Sequence, residues 1–117
     1  MDEEELKQRT KQFALRAIRL VEALPRSKTA DVIGKQLLRS ATSVGANSRA
    51  ACRGRSKAEF IAKIGIVEEE SDESLFWLEL IVEAGLLPHA RVSDLMQEAD
   101  ELTAIFVATG RSAKKRR

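Results

Sequence analysis

The densest run of potentially reactive side chains is Glu68-Glu69-Glu70-Ser71-Asp72-Glu73, five carboxylates in six residues. Carboxylates this close suit metal ligation or acid–base work when imidazole joins them. Metal sites inside helical bundles use a Glu-x-x-His pair on each of two helices. The chain has no such pair, and its one histidine, His89, follows Pro88 in a stretch that predicts an exposed side chain. Cys52 is the only cysteine, which excludes an internal disulfide and any multi-cysteine metal site. Beside Ala51 on the packed side of a helix it reads as a small apolar filler, with no histidine placed to activate it. Gly45-Ala46-Asn47 lacks the strand-then-helix setting of a phosphate loop. The expectation is a protein that is not an enzyme and uses no metal and no cofactor.

The cations have a more regular arrangement. Lys35, Arg39, Arg49 and Arg53 fall on one helix face with Thr42 and Ala46 between them, and Arg55 and Lys57 follow in the next turn. Lys and Arg at one-turn spacings offer charge and donors along a line, as a phosphate backbone of RNA or DNA requires. Nothing supports specific base readout. Charge is strongly segregated along the chain. Residues 7–63 hold 14 Lys and Arg against three acids, a balance of +11, whereas residues 64–101 hold 11 acids against Arg91, a balance of −10. Such halves can neutralise each other within one bundle, or leave part of the basic surface free for nucleic acid.

These residues must be positioned by helices. A length of 117 residues, 44% of them hydrophobic and 32% charged, supports one core and one domain. Six Gly and two Pro leave little turn material, so the expected class is all-α. The first helix is predicted from about Glu3 to Leu24, with Leu6, Thr10, Phe13, Ala17, Leu20 and Leu24 as one seam, stopped by Pro25. The second runs from about Lys28 to Arg53 behind the N-cap Ser27, with a small-residue stripe of Gly34, Ala41, Gly45, Ser48 and Cys52 where a neighbouring helix can come close. Ser56 with Glu59 forms a capping box for the third, which ends near Ala84 before Gly85 and Pro88. Ser93 is the candidate N-cap of the fourth, with Val92, Leu95, Ala99, Leu102 and Phe106 at its seam and Gly110 closing it. Residues 1–110 then form an up-and-down antiparallel four-helix bundle, since short connections between long helices imply antiparallel neighbours. Residues 111–117 form a basic, unstructured tail. The acidic start and the absence of an apolar run of roughly 18 residues predict a cytoplasmic protein with no membrane contact.

The third helix is apolar on two sides. Phe60, Ile64, Val67, Ser71, Leu75, Leu78 and Val82 share the face expected to build the core, while Ile66, Trp77 and Leu80 lie opposite, flanked by Phe76. A bundle covers each helix on only one side, so the second face needs its own cover. Self-association is the simplest, with Ile66, Glu69, Glu73, Phe76, Trp77 and Leu80 at the contact and a neighbouring subunit's arginine opposite Glu73. A dedicated protein partner on that face is the alternative.

Three segments carry a family resemblance: Arg39-Ser40-Ala41-Thr42-Ser43-Val44-Gly45-Ala46-Asn47, then Ser56-Lys57-Ala58-Glu59-Phe60-Ile61-Ala62-Lys63-Ile64, then Glu73-Ser74-Leu75-Phe76-Trp77-Leu78-Glu79-Leu80. In order and spacing the chain resembles the bacterial four-helix bundle family that includes proteins encoded in intervening sequences of 23S ribosomal RNA genes. It is similar also to the accessory variability protein of diversity-generating retroelements. The resemblance implies a left-handed bundle, a homopentamer, and candidate partners in nucleic acid and in a protein of the reverse-transcriptase kind. Where many members follow the Asn with an Ile-x-Glu-Gly-like stretch, this chain reads Ser48-Arg49-Ala50-Ala51, base in place of acid.

Overall fold

A computed structural model describes residues 1–116 as four helices, α1 (Glu3–Glu22), α2 (Lys28–Cys52), α3 (Lys57–Glu83) and α4 (His89–Lys115), with no strand among the described residues. Helices of 25–27 residues are about 40 Å long at 1.5 Å per residue, which fits a body of 50 × 20 × 19 Å only if they lie along its length. Consecutive helices pack on one another, and α1 meets α4 to close the bundle, touching it least of all the packed pairs.

Local chemistry sets the helix ends. Asp2, Ser27 and Ser56 each accept a backbone N–H from the residue three positions on, satisfying donors that have no partner inside the helix. Glu59 reaches back one residue further than a capping box requires, accepting the Arg55 N–H at 2.7 Å in place of that of the N-cap Ser56. At the end of α3, Gly85 adopts φ +73° so that Gly85 N–H and Leu86 N–H donate to the carbonyls of Val82 and Ile81. This reversal needs a residue without Cβ strain.

The last helix corrects the expected boundaries. It begins at His89 directly after Pro88, whose extended ψ and missing N–H suit the position before a helix, and not at Ser93. It also runs through Gly110 to Lys115. Gly110 keeps ordinary helical φ, and the Ala and Lys beyond it are good helix formers whose charge suits a helix C-terminus. Arg117, the end of the expected tail, lies outside the described residues.

The core follows the predicted seams closely. Phe13 and Ala17 of α1, Leu37, Ala41 and Val44 of α2, and Val92, Ala99, Leu102 and Phe106 of α4 are fully buried. In α3 the buried face is Ile64, Val67, Ser71, Ser74, Leu78 and Ile81, with Phe60, Leu75 and Val82 half-buried at its edge. Thr10 is tolerated inside because its hydroxyl donates to the Leu6 carbonyl at 2.9 Å.

Candidate nucleic-acid interface

The small-residue stripe of α2 receives α1. A Cβ on Gly34 would lie 3.1 Å from Leu24 and Val21 side chains, and one on Gly45 would lie 3.4 Å from the Thr10 carbonyl oxygen and 3.8 Å from Lys11 Cα. The two backbones therefore nearly touch at Gly45. Along this contact the helices bound a groove of about 410 Å³ floored by Ala14, Thr42, Gly45 and Ala46. Lys7 and Lys11 line it from α1, Arg49 from α2 and Arg53 from the C-cap position just after it. Each pair is spaced i, i+4, so two short cationic columns face each other across a floor of small residues. One acid, Glu4, is present. It pairs with Lys7 at 3.1 Å, and the hydrogen bond from Lys7 holds its carboxyl below the usual carboxylate range. No ion pair among the described residues involves Lys11, Arg49 or Arg53. Unpaired Lys and Arg converging on one trough give it a positive potential, and no aromatic side chain lines it.

Arg39 belongs to a different arrangement. Its guanidinium bonds Gln36, bridges to Glu70 at 3.0 Å and pairs with Glu73. Glu73 in turn accepts the Trp77 indole N–H at 2.9 Å, and one residue along from the ion pair the buried hydroxyls of Ser40 and Ser74 lie 2.9 Å apart. Arg39-Ser40 on α2 thus meets Glu73-Ser74 on α3 residue for residue. The paired motifs are a clamp between two helices of one subunit.

A family profile described as 23S rRNA-intervening sequence protein matches residues 2–108. The chain belongs to that family. A crystal structure of a Bacteroides thetaiotaomicron protein with unknown function, from the S23 ribosomal protein family, is similar at 31% identity with a TM-score of 0.83. The similarity covers 89% of this chain and 96% of that one. No curated protein matches the chain. Family membership thus confirms the resemblance and the four-helix fold, and the clamp residues lie within the motifs on which it was recognised.

The structure divides the expected cationic ridge. Arg49 and Arg53 line the groove; Arg39 is committed to α3; Lys35, Arg55 and Lys57 are exposed but do not line the groove. Lys7 and Lys11 were not anticipated. Their signal was present in the i, i+4 spacing followed by Ala14, but only the packing of α1 on Gly45 brings them to α2.

The outer face of α3 is also divided. Phe76 is 49% exposed and Ile66 37%, with Glu69 exposed beside them. Leu80 is half-buried. Trp77 is half-buried, packed against the core and edge-on to Phe76 at 5.0 Å between ring centroids. Glu73 finds its arginine in its own subunit, so no neighbour is needed to neutralise it. Among the described residues no group of three or more His, Cys, Asp or Glu converges as metal ligands would, and no helix is long and apolar enough to cross a membrane.

Proposed function

We propose that this protein is a non-enzymatic, cytoplasmic homo-oligomeric scaffold that binds nucleic acid through the groove between α1 and α2. The observation that supports the binding is the convergence there of Lys7, Lys11, Arg49 and Arg53, with only Glu4 opposing them. Four cations from two helices form a field that a phosphate backbone can enter without displacing an existing ion pair, except at Lys7. Assembly is supported by the outer face of α3. Phe76 and Ile66 leave apolar surface in water there, and Gly65, beside Ile66 and about three helical turns before Phe76, meets no neighbouring atom within 4 Å of where a Cβ would stand. A mid-helix glycine costs about 1 kcal/mol relative to alanine, and packing inside the subunit offers no reason for it. A second copy approaching this face covers the apolar side chains and uses the space at Gly65. Five copies is the number that family resemblance suggests.

Binding is tested by titrating fluorescent RNA and DNA with wild type and the K7Q/K11Q/R49Q/R53Q variant across a salt series. If all four cations contact phosphates, the slope of log affinity against log salt should fall by roughly 3, and preference among sequences should be weak. Equal affinity at moderate salt would remove the nucleic-acid reading. Light scattering tests assembly: wild type should exceed a dimer at micromolar concentration, and Phe76→Glu or Ile66→Glu should dissociate it with helical content retained. Trp77→Glu is the poorer probe, because Trp77 also packs on the core. A monomeric wild type overturns self-assembly and favours a protein-partner adaptor on the same α3 face.

A further inference from the structure

A second cationic cleft lies on the opposite flank of α1. Arg16 and Arg19 of α1 and Arg91 of α4 surround a space of about 270 Å³ whose floor is Leu20, Leu87 and Leu95. Leu87 and Leu95 are 8% and 4% exposed, so the floor belongs to the core, while Arg19 and Arg91 at the rim are exposed. Asp94 shares the cleft, yet no ion pair among the described residues involves any of the three arginines. Arg9, on the same side of the helix, shows the contrast. Glu98 takes it in two 2.7 Å hydrogen bonds and Glu101 in a third, pushing its pKa above the ordinary arginine value. This interface therefore pairs Arg9 with two acids and leaves three arginines at the cleft with one acid, Asp94, and no ion pair.

We propose that the Arg16, Arg19 and Arg91 cleft is a second phosphodiester site, and that it and the α1/α2 groove together hold one single strand bent over α1. The proposal rests on the groove being a nucleic-acid site. Lys7 and Lys11 project toward α2, and Arg16 and Arg19 toward α4, so the cationic path crosses the exposed crest of α1 diagonally. From residue 7 to residue 19 it advances about 18 Å along the axis at 1.5 Å per residue. A duplex, stiff over about 150 base pairs, can rest on the crest but cannot enter clefts on both flanks of a helix roughly 10–12 Å wide. A single strand has the flexibility to do so. Guanidinium forks match phosphate oxygens in bidentate pairs. Asp94 is the one repulsive group in the cleft.

The test uses the full chain with oligo(U), oligo(dT) and a hairpin duplex of equal length, titrated over a salt series. The R16Q/R19Q/R91Q variant should lower the single-strand salt slope by roughly 2, at about 0.7 per contact, and leave duplex binding unchanged. Asp94→Asn should raise single-strand affinity several-fold, an effect that a purely structural role for the cleft would not produce. If the triple variant fails to fold, Arg91→Gln and Asp94→Asn alone decide the matter by moving affinity in opposite directions. Unchanged single-strand binding in the cleft variants, with binding lost in the groove variant, overturns the second site and leaves the groove reading standing. Unchanged binding in both sets overturns both. Equal losses for duplex and single strand overturn the bent path, and competition by polyglutamate as strong as by oligo(U) overturns the phosphate assignment.

Discussion

Replacing Lys11 by Glu should move stability and binding in opposite directions. Lys11 lies at mid-α1, away from either helix terminus, so the exchange has little interaction with the helix dipole. Its side chain is exposed and shares the groove with Lys7 one turn before it and with Arg49 and Arg53 across it. A carboxylate there removes like-charge repulsion and gains an i, i+4 partner and a cross-groove partner. Exposed pairs contribute about 0.2–1 kcal/mol each, and the Lys-before-Glu order sits at the weaker end. The net expectation is a gain of about 0.5 kcal/mol, or roughly 2 °C in Tm for a domain of this size, shrinking as salt is added. Binding should suffer by more. One lost phosphate contact lowers the salt slope by about 0.7 for a single strand or 0.9 for a duplex and, at 0.1 M salt, affinity by about five- to eightfold, before the repulsion of the new charge is counted. In an assembly the loss recurs at every subunit engaged on the strand. Urea denaturation at low and high salt gives the first quantity, and anisotropy titration over the same salts gives the second. A variant that is less stable at low salt, or that binds as the wild type does, would refute the view of the groove as unpaired charge held for phosphate.

The Arg9–Glu98 pair is part-buried and doubly hydrogen-bonded, so a double-mutant cycle with Arg9→Met and Glu98→Gln should give a coupling of about 1–2 kcal/mol by chemical denaturation, above the exposed-pair range; a value near zero would mean that solvent screens it fully. Gly85→Ala should destabilise by about 1–2 kcal/mol through its left-handed backbone alone, since a Cβ there meets nothing, whereas Gly65→Ala should raise monomer stability by up to about 1 kcal/mol while weakening any assembly through α3. Burial, helped by Glu3, pushes the Cys52 thiol above its usual pKa, so the unfolded thiol ionises first and stability should fall as pH rises above about 8.5. Iodoacetamide at pH 8 should label the native thiol more slowly than the urea-unfolded one, and a native rate equal to the unfolded rate would contradict this.

The helices were legible because each has a seam whose period survives without knowledge of its neighbours, as in Phe13 to Ala17 or Val92 to Phe106. Their ends were legible where a cap is local, as at Ser27, Ser56 and Gly85. They are not legible in α4, where Pro88 acts through its fixed backbone geometry without a side-chain cap, and where Gly110 does not break a helix already packed on α3. The site was legible by halves. Arg49 and Arg53 share a stripe with Arg39 on α2, but a stripe seen on one helix does not reveal which of its members a neighbour will neutralise. Glu70 and Glu73 decide that for Arg39, and they are more than thirty residues away. The matching dipeptides Arg39-Ser40 and Glu73-Ser74 were the available hint.

That division bears on what family membership can say about function. The segments that identify the family hold the Arg39–Glu73 clamp, the Ser40–Ser74 contact, the Ser56–Glu59 cap and the Gly45 approach, all of which act inside the subunit. Of the four groove cations, none lies within those segments. All four lie within the residues 2–108 that the family profile matches, but outside these three motifs. No ion pair among the described residues uses the charge of Lys11, Arg49 or Arg53, and like charges gathered across a narrow trough oppose stability slightly instead of adding to it. Three cations left without an ion pair at a small cost in stability are what the proposed binding to an anionic partner uses and what a purely structural role leaves unexplained.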